Sequence, residues 1–87
     1  VAVGTPGFRY EPAAVILRPG ERVVLVLRNT DTRAHNLTVD RLNIQMTANA
    51  GETVRLPLEA PPAGSFVMYC SLGGHLRAGH RGRLEVR

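Results

Sequence analysis

Lysine is missing from this sequence, and cysteine occurs once, at Cys70. The solitary thiol excludes an internal disulfide, so cysteine pairing says nothing about compartment. All eleven cationic side chains are arginines, scattered among apolar residues. That spacing reads as solvated strand faces, and an all-arginine set is what a GC-rich genome gives rather than a dependable thermophile signal. Aromatic residues make up only 5% of the chain. With none interleaved along a basic stripe, the net charge of +4 does not make a nucleic-acid surface. Apolar runs are short: Val23-Val24-Leu25-Val26-Leu27 has five residues, against the roughly 20 of a membrane-spanning helix. Near Val1 there is neither a basic segment nor an apolar signal core, which fits a cytoplasmic protein or a mature or trimmed form.

What remains is a strand-forming pattern. The length of 87 residues fits one domain spanning 1–87, and 44% hydrophobic content is enough for a core. Ala14 to Arg18 reads as a strand, Pro19-Gly20 as a turn, and Arg22 to Arg28 as a strand whose continuous apolar character predicts burial on both faces. Asn29-Thr30-Asp31 breaks that strand. Asn36 to Val39, Leu42 to Thr47 and Thr53 to Leu58 are extended, and Pro57 predicts an edge position for the last. Ser65 to Cys70 and Gly82 to Arg87 complete the series. About seven short strands with Pro-Gly and Asn-Ala-Gly turns predict an all-β fold, a Greek-key β-sandwich.

The chemistry concentrates in Tyr69-Cys70-Ser71-Leu72-Gly73-Gly74-His75-Leu76-Arg77-Ala78-Gly79-His80. This run holds the only cysteine and two of the three histidines, spaced Cys-x4-His-x4-His. One thiolate and two imidazoles on a short glycine-containing loop suit a soft-to-borderline metal, copper or zinc. The third histidine, His35, follows an apolar run, so a strand delivers it to the same end of the molecule. Met46 and Met68 are the other soft donors; Met68 shares the strand face of Cys70, and both read mainly as core.

The ordered set of motifs resembles the cupredoxins, the blue-copper family. Phe8-Arg9-Tyr10-Glu11-Pro12 and Arg18-Pro19-Gly20-Glu21 are similar to the family's opening, Ala34-His35-Asn36 to its first ligand, and Tyr69-Cys70 to the entry of its ligand loop. The resemblance implies one copper ion held by His35, Cys70 and His75. It also implies that Asn36 bonds across to the backbone or hydroxyl of Ser71. One position departs: where the family carries an axial methionine, this chain has His80. Either its imidazole coordinates, giving a green or red site, or it stands aside and three ligands hold the metal. A histidine there is similar to the red-copper nitrosocyanins, although those replace the upstream histidine with glutamate.

The implied function is one-electron transfer, Cu(I) to Cu(II), by a monomeric periplasmic or extracytoplasmic carrier rather than an enzyme. Leu72, Gly73, Gly74 and Leu76 form the expected electron-exit patch around His75, with Arg77, Arg81 and Arg83 orienting an acidic redox partner. A copper chaperone or storage module and a structural zinc site are the rivals, because one cysteine and three histidines also close a tetrahedron. A cysteine nucleophile lacks an acidic orienting partner nearby in sequence.

Overall fold

A computed structural model describes residues 1–87 and contains nine strands. They are β1 (Ala2–Gly7), β2 (Arg9–Glu11), β3 (Ala14–Leu17), β4 (Arg22–Asn29), β5 (His35–Val39), β6 (Ile44–Ala48), β7 (Thr53–Glu59), β8 (Gly64–Tyr69) and β9 (Arg81–Val86). A single 3-10 turn, Asp40–Leu42, ends with Asn43 in the left-handed region at φ 53°. Two sheets face each other, ordered β2-β1-β4-β7 and β3-β9-β8-β5-β6.

The expected sandwich is present, with two strands more than the pattern predicts. The two are β1 and β2, whose apolar alternation is too weak to reveal them. In Ala2–Gly7 only Val3 and Thr5 are fully buried, and β2 is three residues long. β1 pairs parallel with β4 from Ala2↔Val26 to Thr5↔Asn29. β3 likewise runs parallel to β9, and the remaining ladders are antiparallel.

The predicted two-sided burial of Arg22 to Arg28 does not hold. Leu25 and Leu27 are buried, whereas Val24 is 43% exposed. One face of β4 meets the core and the other meets solvent, as a sandwich sheet requires. β7 is an edge strand, which explains how Pro57 is tolerated opposite Val24. The core includes Val3, Val15, Leu17, Leu25, Leu27, Leu37, Val39, Leu84 and Val86, together with both methionines.

Strand ends decide where the chemistry sits. β1, β4 and β8 finish, and β5 and β9 begin, at one end of the sandwich. The chain leaves β4 at Asn29, crosses a five-residue loop and enters β5 at His35. His35 therefore opens a new strand instead of closing the apolar one that precedes it. Every residue of β5 is buried.

Candidate metal centre

His35 at the start of β5, Cys70 just beyond β8, and His75 and His80 on the loop into β9 meet at that end. One donor atom from each lies within 4.8 Å of all the others. His35 Nδ1 is 3.2 Å from His75 Nδ1, which is 3.2 Å from Cys70 Sγ. Such spacings match the roughly 3.3 Å edge of a tetrahedron with bonds near 2.0 Å. His35, Cys70 and His80 are fully buried, and His75 is partly exposed.

The ligand loop folds on itself. Gly74 and Gly79 adopt φ of 78° and 90°, which a side chain would resist. Their turns let His80 N–H donate to His75 O at 3.1 Å and Gly79 N–H to Leu76 O at 3.0 Å. Cys70 N–H donates to His80 O at 3.0 Å, closing the base of the loop. A ten-residue excursion thus returns to its origin with both histidines turned inward.

A gap in the sheet is filled by one side chain. β5 and β8 pair at Thr38↔Tyr69, and beyond that pair Asn36 replaces the ladder. Its Nδ2 donates to Ser71 Oγ at 2.8 Å, and its Oδ1 accepts from Ser71 N–H at 2.8 Å. Asn36 N–H donates to Cys70 Sγ at 3.3 Å. Asn36→Ala should remove both bonds to Ser71, at a net cost of about 1–2 kcal/mol. It should also weaken metal retention about 10–100-fold. Urea unfolding and chelator competition measure the two effects; a variant matching wild type in both shows the brace to be idle.

The histidines have distinct surroundings. His35 Nε2 lies 2.7 Å from Asp31 Oδ2, and His80 Nε2 lies 3.0 Å from Thr5 Oγ1. The Thr5 hydroxyl also donates to Gly7 O at 3.1 Å. Its one proton being used there, it accepts from His80, so the His80 proton is on Nε2 and Nδ1 is bare. That Nδ1 is buried with no hydrogen-bond partner. An orphaned buried lone pair beside a thiol and two imidazoles is what a metal ligand looks like before it binds. Three imidazoles and one sulfur suit copper or zinc.

The family model described as Cupredoxin-like domain matches residues 5–81. This chain belongs to the cupredoxins. Among solved structures, reduced auracyanin from Roseiflexus castenholzii is 16% identical, with 99% of this chain and 94% of that one covered at a TM-score of 0.89. Auracyanin A, a "blue" copper protein from Chloroflexus aurantiacus, is 20% identical over 100% of this chain and 97% of its own, at 0.87. A purple cupredoxin from Nitrosopumilus maritimus is 18% identical over 100% and 99%, at 0.71. No curated protein matches the chain.

Around this cupredoxin's centre, the structure adds residues that the sequence pattern did not single out. Asp31 and Thr5 are two of them. Phe8 is a third: its ring stands edge-on to His75 at 4.8 Å and to His35 at 5.8 Å, with the Arg33 guanidinium 5.0 Å above it. Tyr10 is a fourth, packing 4.4 Å from the His80 ring and donating to Asn36 O at 2.6 Å. Burial, and secondarily the Cys70 charge, push its phenol far upward, so it acts as a neutral donor. Phe8 and Tyr10 stand in the opening motif quoted above, but nothing in the sequence placed any of the four beside the histidines. Leu72, Gly73, Gly74 and Leu76 line a shallow cavity of about 350 Å³ over the loop. Arg83 instead lies along the sheet, donating to Ser65 Oγ at 2.8 Å, while Arg77 and Arg81 are exposed. Met46 and Met68 are both core residues.

Acid acts lower than the ordinary histidine value suggests. Burial, then the charges of His35 and His75, lower His80 from 6.5 to about 4. His75 is lowered as well, again by burial first and the His35 charge second. In the copper-free protein both imidazoles protonate less readily while folded than once unfolded. The unfolded chain then binds more protons between pH 6.5 and about 4, so stability declines as pH falls through that window. Urea midpoints of the copper-free protein measured across it should fall steadily; a flat profile contradicts the burial of His80.

Proposed function

We propose that this cupredoxin holds one copper ion between His35, Cys70, His75 and His80 and carries single electrons between partner proteins. The observation that carries the reading is the convergence of one sulfur and three nitrogens, including the unpartnered His80 Nδ1, beside the partly exposed His75. Copper bound there supplies the Cu(I)/Cu(II) couple. The chain's own work is to hold the donors in place through both states, which the Asn36–Ser71 bonds and the self-bonded loop support. Burial of three of the four donors excludes water, and His75 is partly exposed.

Leu72, Gly73, Gly74 and Leu76 form the docking and electron-exit patch, to which Phe8 adds an exposed ring. Exposed Arg33 and Arg77 beside it orient an acidic partner. We take the chain as a single domain, a monomeric carrier without enzymatic activity, working outside the cytoplasm. A fully buried fourth donor also suits a structural zinc site, which makes metal preference the deciding measurement. The optical and EPR spectra of copper-loaded protein should show an intense thiolate charge-transfer band that is bleached reversibly by one electron. A colourless protein that holds zinc in preference to copper overturns the proposal.

A further inference from the structure

Two hydrogen bonds on the far sides of His35 and His80 come from residues that belong to neither the ligand loop nor its brace. Asp31 stands in the loop between β4 and β5, and its position is enforced. Buried Asn29 places its amide nitrogen within 2.8–3.1 Å of Arg33 O, Ala48 O and Asn49 O, tying the loop to β6. Asn29 Oδ1 accepts from Asp31 N–H at 2.9 Å, and Asp31 Oδ1 accepts from Thr32 N–H at 2.7 Å. That leaves Oδ2 for His35 at 2.7 Å, the length of a charge-assisted bond. The His35 side chain is wholly buried and that of Asp31 only 14% exposed, so this contact is unlike a surface ion pair. A carboxylate accepts and does not donate, so His35 carries a proton on Nε2, and in the neutral imidazole its Nδ1 is then bare. Thr5, passing its own proton to Gly7 O, enforces the same tautomer on His80.

We infer that Asp31 and Thr5 are positioning residues that pin the protons of His35 and His80 on Nε2, holding both bare Nδ1 atoms toward the copper, and that Asp31 biases the centre toward its oxidised state. The bias follows from charge. Imidazoles bound to copper through Nδ1 carry no charge, so the Cys70 thiolate and the Asp31 carboxylate would contribute two negative charges. A dication neutralises the group, whereas a monocation leaves a net negative charge in a buried place, which is disfavoured. Arg33, 3.7 Å from Asp31 but 57% exposed, offsets little of this. The inference rests on the copper reading above, and its first test does not need copper.

Nitrogen NMR of the isotope-labelled full chain, first metal-free and then loaded with Cu(I), reads the tautomers directly. His35 and His80 should each show a protonated Nε2 and a bare Nδ1 without metal. A proton on Nδ1 of either overturns the inference, whatever metal the protein prefers. In the copper-loaded protein, Asp31→Asn keeps an acceptor but removes the charge. It should lower Cu(II) affinity about 10–100-fold with a smaller loss for Cu(I). Each tenfold change in that ratio raises the potential by about 59 mV. Thr5→Val should let the His80 tautomers mix and broaden its signals, and Thr5→Ser should restore the single form. An unchanged potential in Asp31→Asn, or a serine variant that behaves like valine, overturns the inference. Loss of copper binding in wild type with the tautomers as stated defeats the copper reading alone.

Discussion

Cys70→Ser should abolish the intense visible band of the copper-loaded protein and leave the sandwich folded. Charge-transfer intensity requires a sulfur donor, and Cys70 is the chain's only cysteine. Both methionines are packed in the core and offer no substitute. The fall in copper affinity should exceed the roughly 10–100-fold cost of an outer-shell change, because a ligand itself is lost. Folding is another matter. The side chain is fully buried, with Asn36 N–H donating to it at 3.3 Å and His75 Nδ1 3.2 Å away, and a serine oxygen can take up both contacts. The apolar core from Val3 to Val86 is untouched. Stability should therefore fall by only about 1–2 kcal/mol. Absorption spectra, chelator competition and thermal melts read the three quantities. A retained intense band removes Cys70 from the site, and global unfolding of the copper-free variant shows that the thiol serves the fold first.

His80→Met should raise the potential and move the spectrum toward the blue type. The imidazole is a stronger donor to Cu(II) than a thioether, so His80 stabilises the oxidised ion relative to the methionine that the family places there. A loss of one to two factors of ten in Cu(II) preference corresponds to a rise of about 60–120 mV. The site can take the change. Methionine is flexible enough to fill the space against the Tyr10 ring, and Thr5 keeps its bond to Gly7 O. His80→Ala separates ligation from packing. Should both variants keep the wild-type potential and EPR spectrum, His80 is a bystander and three donors hold the metal.

Much of this was legible locally. Cys70, His75 and His80 lie within eleven residues of one another, and the alternation of Leu84 and Val86 with Arg83 and Glu85 marks β9 without any partner in view. Asn36 was legible only through resemblance, since nothing in its own segment indicates Ser71 across the sheet. Arg22 to Arg28 misled because an unbroken apolar run says how much a strand can bury, not how much it does. Val24 points to the face of its sheet opposite that of buried Leu25 and Leu27, away from the second sheet.

The sequence alone determined the class of fold, the end of the sandwich that carries the chemistry and the types of donor available there. These follow from short-range patterns: period-two alternation, turn residues and the spacing of one loop. Only the tertiary structure decided which ring atoms face inward, how the sheet gap is bridged and what lies behind each imidazole. Thr5 meets His80 across 75 residues of chain, and Asp31 reaches His35 because Asn29 ties their loop to β6. A proton's place on an imidazole depends on the acceptor behind it, and no local pattern records that neighbour. Spacing sets which atoms are available, and packing sets which way they point.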